Sequence, residues 1–497
     1  MSRPSFTQIP SNRRTPGTYI EIDSSQAVRG LPGLPHKTLA LGQILAAGET
    51  AAHVPVQITD PEQAARAFGR GSMLHAECLR FRGANDTTEF WAVGIEDDAA
   101  GTAAVKSTTL SKVVPADDFG AGMIVAYVGG RSVRVAVATD DTPATIVAAL
   151  VAAATEPMLC ATLSIDGGTP EKLLATAKHK GAAAGEFDLR ISYYSDEVLP
   201  VNLAVGATVI ETAGAGNPEI DDALAAVGSE WYTEIVMPYL DGANYAATHA
   251  FLKERFDALT MNDGLAFTVD PDTYANVHAF GKLEGTNSPF ITTLPSQKSP
   301  TPPWEIAAAY AGLAAEQTQI DPARQLRGLA LTGILPPAVA DRFSPTEIEL
   351  LLHAGVSAVS FEGGAFRVDR CVTNYQENEL GADDTAYLDL VTMTNLAYLR
   401  YSERTRIDLR FPRSKLADDG TRIAEGQAVV TPELMEGELV GLYKEWELAG
   451  LVEDTKGYIK RLVVARDGDD SNRLNALQSP DLINNFRILA AMMQFRN

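Results

Sequence analysis

Pro16-Gly17-Thr18-Tyr19-Ile20-Glu21-Ile22-Asp23 alternates like a half-buried strand, with Thr18, Ile20 and Ile22 on one face and Tyr19, Glu21 and Asp23 on the other. It stands between Pro10 and Gly30-Leu31-Pro32-Gly33-Leu34-Pro35, with no adjacent run able to close a hairpin on it. The far end poses the same problem. Phe486-Arg487-Ile488-Leu489-Ala490-Ala491-Met492-Met493-Gln494-Phe495 is apolar on nearly every side, and two residues follow it. Periodicity leaves this run open between strand and helix. Ser479-Pro480-Asp481 is a good helix start, and Phe486, Leu489, Ala490 and Met493 also keep a helical period. A lone strand leaves its backbone donors and acceptors unpaired, so it has to join a sheet. That sheet can belong to another copy of the chain.

Between these ends, 497 residues are too many for one core and divide into about three or four domains of ~150 residues. Apolar content of 45% and charged content of 21% exclude wholesale disorder. Cys78, Cys160 and Cys371 form no CxxC pair and fit buried thiols in a reducing cytoplasm. The start has no apolar signal core, and no window approaches the ~18–20 apolar residues of a membrane span, so a soluble chain with no membrane insertion is expected. A net charge of −23 argues against nucleic-acid backbone binding. Residues 1–30 and 459–497 each carry about +2, which leaves about −27 on the body between them. Two readings stand: a chance scatter of arginines, or cationic ends that dock on anionic bodies of neighbouring copies.

The expected fold class is α/β and α+β multidomain. Residues 36–100 and 211–370 read as a discontinuous α/β middle domain, and 101–210 as an inserted mostly-β domain of short strands around one helix at Pro143–Ala154. Asp60-Pro61 and the capping box Ser344-Pro345-Thr346-Glu347 open helices in the middle domain. Residues 371–484 read as a C-terminal α+β domain. In it, Asp383-Asp384 caps a long helix to about Arg404, Thr431-Pro432 starts a second, and Tyr458–Ala465 is a strand. Residues 1–35 and 485–497 are extended N- and C-terminal strand arms.

Enzyme signatures are mostly absent: there is no phosphate loop, nucleophile elbow, HExxH or helix-opening GxGxxG. The seven histidines show no metal-ligand spacing, so no metal, cofactor or catalytic residue is expected. Gly69-Arg70-Gly71-Ser72 follows a helix and reads as its ending turn. Asp467-Gly468-Asp469-Asp470-Ser471-Asn472 resembles a calcium loop with a misplaced glycine and Gln478 where the bidentate glutamate belongs. One cluster is harder to set aside. Arg400, Arg404, Arg406, Arg410, Arg413 and Lys415 lie within sixteen residues, with Arg400 and Arg404 on one helix face. They either pair with the acidic helix carrying Glu433, Glu436, Glu438, Glu445 and Glu447, or form a docking face for an acidic partner.

In order and spacing, these segments resemble the contractile tail sheath proteins of Mu-like bacteriophages over nearly the whole chain. The resemblance rests on Pro16-Gly17-Thr18-Tyr19-Ile20-Glu21, Phe68-Gly69-Arg70-Gly71-Ser72, Val236-Met237-Pro238-Tyr239-Leu240-Asp241 and Asp321-Pro322-Ala323-Arg324. It continues through Thr373-Asn374-Tyr375, Gly381-Ala382-Asp383-Asp384, Lys415-Leu416-Ala417-Asp418-Asp419-Gly420, Val430-Thr431-Pro432 and Asp470-Ser471-Asn472-Arg473-Leu474. Thr18 departs from the pattern, being polar where the arm often has an apolar residue. The resemblance implies a virion sheath of stacked six-subunit rings around a tail tube, assembled in the host cytoplasm, which contracts to drive the tube through the envelope. It implies tube, baseplate and tail terminator proteins as partners. It also implies that the arms, Thr18, Tyr19, Ile20, Glu21 and Ile22 at one end and Phe486, Arg487, Ile488, Leu489, Ala490 and Met492 at the other, add strands to neighbouring subunits. Only the resemblance makes the C-terminal end a strand, and it makes Arg400, Arg404 and Arg406 candidates for tube contact. The sheath of a phage-tail-like bacteriocin or other injection machine is the near alternative, and a cytoplasmic α/β enzyme the remote one.

Overall fold

Near-continuous apolar runs mark strands covered on both faces, and five such runs build the main sheet. The structure, a computed structural model, describes residues 15, 17, 18, 31–155, 158–194, 196–424 and 426–496. The chain divides into two units, one of Leu34–Tyr401 with Leu482–Asn497, the other built on Ser402–Asp481.

In the larger unit, β1 (Lys37–Gln43) and β2 (Pro55–Gln57) lead into helices α1 (Pro61–Phe68) and α2 (Met73–Ala84), then β3 (Glu89–Ile95). The expected cap is present: the Asp60 side chain accepts from the Glu62 amide and proline fills the first turn. Gly69 and Gly71, at φ 84° and 82°, make the turn between the two helices, and Ser72 caps the second. A run of strands follows: β4 (Ala103–Lys112), β5 (Gly122–Val128), β6 (Arg131–Val137), β7 (Ala161–Ile165), β8 (Lys172–Lys180), β9 (Leu189–Ile191), β10 (Leu203–Val205) and β11 (Val209–Thr212). They form a β10-β4-β8-β7 sheet with β11 also on β4, and a β6-β5-β9 sheet, with helix α3 (Pro143–Ala153) against them.

The chain then returns to the first sheet through α4 (Asp221–Val227), β12 (Glu234–Val236), α5 (Gly242–Phe256), β13 (Leu265–Asp270), α6 (Tyr274–Gly281) and β14 (Ile291–Pro295). The order is β14-β13-β12-β1-β3-β2, parallel except for β2. Helix α7 (Pro303–Ile320) is buried along almost its whole length and packs on α2. Its alanines and Gly312 allow that approach, since a Cβ at Gly312 would come within 3.2 Å of the Phe81 carbonyl. Among the described residues, two carboxylates of this core are fully buried. Glu305 of α7 is fully buried and meets Arg80 of α2 at 2.5 Å and Arg131 of β6 at 2.7 Å. Glu77 is also fully buried, against Gly42, and among the described residues neither of its oxygens has a hydrogen-bond partner. Burial, and then the charge of Glu305, push its carboxyl well above the usual range.

Helix α8 (Pro345–Leu352) carries the expected Ser344–Glu347 capping box, and β15 (Ala358–Ser360) pairs with β16 (Arg367–Arg370). The long helix α9 runs from Leu390 to Arg410, six residues later at its start than Asp383-Asp384 suggested. Those aspartates do other work. Asp383 bridges Glu377, while the Asp384 carboxylate takes the Tyr375 hydroxyl at 2.5 Å and the Ala386 amide at 3.0 Å, an Asx turn that competes with helix capping.

In the smaller unit, β17 (Lys415–Leu416) pairs with β18 (Val429–Val430), and Thr431 caps α10 (Pro432–Leu448). After β19 (Val452–Glu453), Asp454 caps a short helix α11 (Thr455–Arg461) where a strand from Tyr458 was expected. Tyr458 is buried in that helix and stacks on Tyr443 at 3.8 Å, so tertiary packing overrides its β propensity. The strand begins only at β20 (Val463–Arg466), which pairs with β21 (Leu474–Leu477). Asp481 and Leu482 lie in a short strand, β22, and do not start a helix.

Candidate functional site

The β20–β21 hairpin of the smaller unit is thinly covered, with most of its residues exposed. Its register sets Val463 opposite Leu477 and Arg466 opposite Leu474. Alternation then puts Val463, Ala465, Asn475 and Leu477 on one face, where Val463 and Leu477 are 55% and 65% exposed. The hairpin packs on α10. Among the described residues it is a two-stranded sheet, so both outer edges offer backbone groups to a further strand.

Its loop is fixed by charge. The Asp467 carboxylate accepts from the Asp469 and Asp470 amides at 2.9 Å and from Asn475 Nδ2 at 2.7 Å. These donors hold its carboxyl down at about 2. Its oxygens therefore serve the hairpin turn, which explains the calcium-like spacing. Among the described residues, no His, Cys, Asp and Glu group could hold a metal ion.

The second element is the C-terminal run. In this single chain residues 483–496 form neither strand nor helix. Phe486, Ile488, Leu489, Met492, Met493 and Phe495 are 73–94% exposed. Ala490 is exposed as well. The two root residues are held by the larger unit: Gln325 Nε2 donates to the Phe486 carbonyl and Arg327 Nη1 to the Arg487 carbonyl, both at 3.0 Å. Arg487 Nη2 lies 2.9 Å from Asp389 Oδ2. At the N-terminal end, Thr18 is exposed, and Tyr19, Ile20, Glu21 and Ile22 lie outside the described residues.

The arginine cluster divides. Arg400 Nη1 donates to Asp263 Oδ1 at 3.0 Å and to the Phe256 carbonyl at 2.8 Å, with its guanidinium 4.5 Å from the Phe256 ring centre. Asp263 is 7% exposed, and burial raises its carboxyl against the opposing pull of Arg400. Arg406 sits between Glu438 and Glu445 of α10, 2.7 Å from the latter, and Arg410 meets Glu438 at 2.5 Å. Arg404 is half-exposed and 4.0 Å from Asp408. Intramolecular pairing with the acidic helix thus accounts for Arg406 and Arg410. The sequence reading missed β21 and the Asp389 contact, because a four-residue strand of Leu-Asn-Ala-Leu has no alternation to find and a lone aspartate before a helix reads as a cap.

Comparison with known proteins agrees along the chain. A family model described as phage tail sheath protein central domain matches residues 213–374, and one described as phage tail sheath C-terminal domain matches 382–496. A Haemophilus influenzae protein, the Mu-like prophage FluMu tail sheath protein, is 37% identical over 496 residues, covering 99% of both chains. Among solved structures, a sheath tail protein of Desulfitobacterium hafniense is 13% identical at a TM-score of 0.47, covering 94% of this chain and 100% of its own. One of Listeria innocua is 12% identical at 0.48, covering 93% and 96%.

Proposed function

This chain belongs to the phage tail sheath family, and from that premise we propose that copies of it polymerise by exchanging strands, each giving its terminal arms to the β20–β21 edges of neighbours. One observation carries the reading: an exposed apolar tail and a two-stranded hairpin with open edges occur in the same chain. Strand addition satisfies the backbone of both, and the exposed Val463–Leu477 pair gives the incoming arm an apolar surface to cover. A head-to-tail contact of this kind that does not close on itself generates a helix.

In the proposed sheath, stacked hexameric rings surround the tail tube, bound to a baseplate below and a terminator above, within a virion assembled in the host cytoplasm. The middle domain at 36–100 and 211–370, its insertion at 101–210 and the C-terminal domain at 371–484 move as nearly rigid bodies while the arms at 1–35 and 485–497 stay paired. Contraction releases a kinetically trapped extended state. Burying ~500 Å² more apolar surface per subunit supplies about 10 kcal/mol before costs, enough over many subunits to push a tube without nucleotide hydrolysis. Arg404, the candidate tube-contact arginine with the most open side chain, is the residue we assign to the tube.

The test is truncation. Chain ending at Asn485 is expected to keep its circular dichroism and melting temperature and to form no striated tubes under the electron microscope. Ordered tubes from the truncated chain would defeat the strand-exchange reading.

A further inference from the structure

We propose that Asp389 latches the root of the C-terminal arm through Arg487, so that the segment handed to a second copy begins at Ile488 and its reach is fixed at that point. The inference rests on the strand-exchange reading for its consequence, and on the single chain for its geometry.

Asp389 is held rigidly, in an antiparallel bridge to Val372 one residue before α9 begins. Its two oxygens have different partners. Oδ1 accepts from Arg370 Nε and Nη2 at 3.3 and 3.2 Å, and Oδ2 faces Arg487 Nη2 at 2.9 Å. Arg370 alone would neutralise this carboxylate, yet a second guanidinium is brought to its free oxygen. The side chains are 18% and 31% exposed, which limits screening by solvent. The main chain is gripped at the same place, since Gln325 and Arg327 hold the carbonyls of two consecutive residues, Phe486 and Arg487. Arg327 is itself steadied by Asp369 at 3.3 Å. Past this point the character changes: Ile488, Leu489, Met492, Met493 and Phe495 are each at least 77% exposed.

The latch therefore sets a length. The ten residues after Arg487 span at most ~35 Å when extended, whereas freeing the root back to Leu482 adds five residues, or ~17 Å. The acceptor of this geometry is an open hairpin edge on another copy within that shorter radius. A slack root would tolerate a wider range of subunit spacings.

Trypsin tests the latch directly, because Arg487 is itself a cleavage residue. On the full chain kept as monomer, Asp389→Asn is expected to speed cleavage after Arg487 about tenfold, the effect of losing a charged hydrogen bond that holds the site closed. Arg370→Gln, which leaves Oδ2 to Arg487, is expected to leave cleavage within about twofold of the parent, a change of under 0.5 kcal/mol in opening. Should Asp389→Asn fail to fold by circular dichroism, Arg327→Gln removes a main-chain grip and is expected to accelerate the same cut. Unchanged cleavage in folded Asp389→Asn or, where that variant fails to fold, in Arg327→Gln overturns the latch. In assembled sheaths, Asp389→Asn is expected to broaden the axial spacing seen by electron cryomicroscopy, and a spacing as sharp as the parent's overturns the length-setting role. Failure of the arm reading shows separately, as tubes formed by a chain ending at Asn485.

Discussion

Glu77 is a carboxyl fully enclosed between α2 and Gly42, with no hydrogen-bond partner among the described residues. Its folded-state pKa lies well above the usual 4.5, so the folded chain keeps a proton that the unfolded chain releases. Stability from this group is present below about pH 4.5 and is lost as pH rises through the raised value. Glu77→Gln removes the slope. The variant is expected to gain about 1–2 kcal/mol over the parent by pH 8 and little at pH 4, measured by urea unfolding. Glu438 illustrates the opposite case. At 11% exposed it serves Arg406 and Arg410 together, and Glu438→Gln is expected to cost about 1–2 kcal/mol by removing the charge the two share, with Glu445 still 2.7 Å from Arg406. Arg404→Glu is expected to shift stability by less than about 0.5 kcal/mol while reducing co-sedimentation of sheath with tube. Unchanged tube binding would remove Arg404 from the interface.

At the level of elements, the hairpin β20–β21 offers the sharpest experiment. Leu477→Lys places a charge on its open face without touching the turn held by Asp467, and a charged edge resists strand addition. The variant is expected to melt within about 3 °C of the parent and to form few or no tubes. How much was legible beforehand depended on how local each signal was. Asp60-Pro61, Ser344–Glu347 and Thr431-Pro432 cap the helices they were expected to cap, because the bonds involved span two or three residues. Asp383-Asp384 misled because Tyr375, nine residues before Asp384, claims that carboxylate. Tyr458 misled because its ring partner is Tyr443, fifteen residues away. The tail after Phe486 was ambiguous because its apolar residues fit both periods, and in the single chain it takes up neither strand nor helix.

For the whole molecule, the charge balance makes assembly depend on salt. Each copy carries −23 against ends of about +2, so repulsion between copies is expected to outweigh the attraction of the ends. The Debye length falls from ~30 Å at 0.01 M salt to ~8 Å at 0.15 M. The critical concentration for tube formation is therefore expected to drop across that range, as followed by light scattering. A rise instead would show that contact between cationic ends and anionic bodies governs polymerisation. The buried Glu305 bears on what such a tube can transmit. Two strand systems, the parallel sheet behind α2 and the insertion entered at β6, are riveted through one carboxylate to Arg80 and Arg131. An oily seam creeps under sustained shear, since each small slip trades one contact for a similar one. Here a slip would leave the fully buried Glu305 carboxylate without its two counter-ions, Arg80 and Arg131, which are themselves 26% and 19% exposed. A displacement of β6 is thus expected to be felt at α2 through a fixed ionic joint and not through a sliding one.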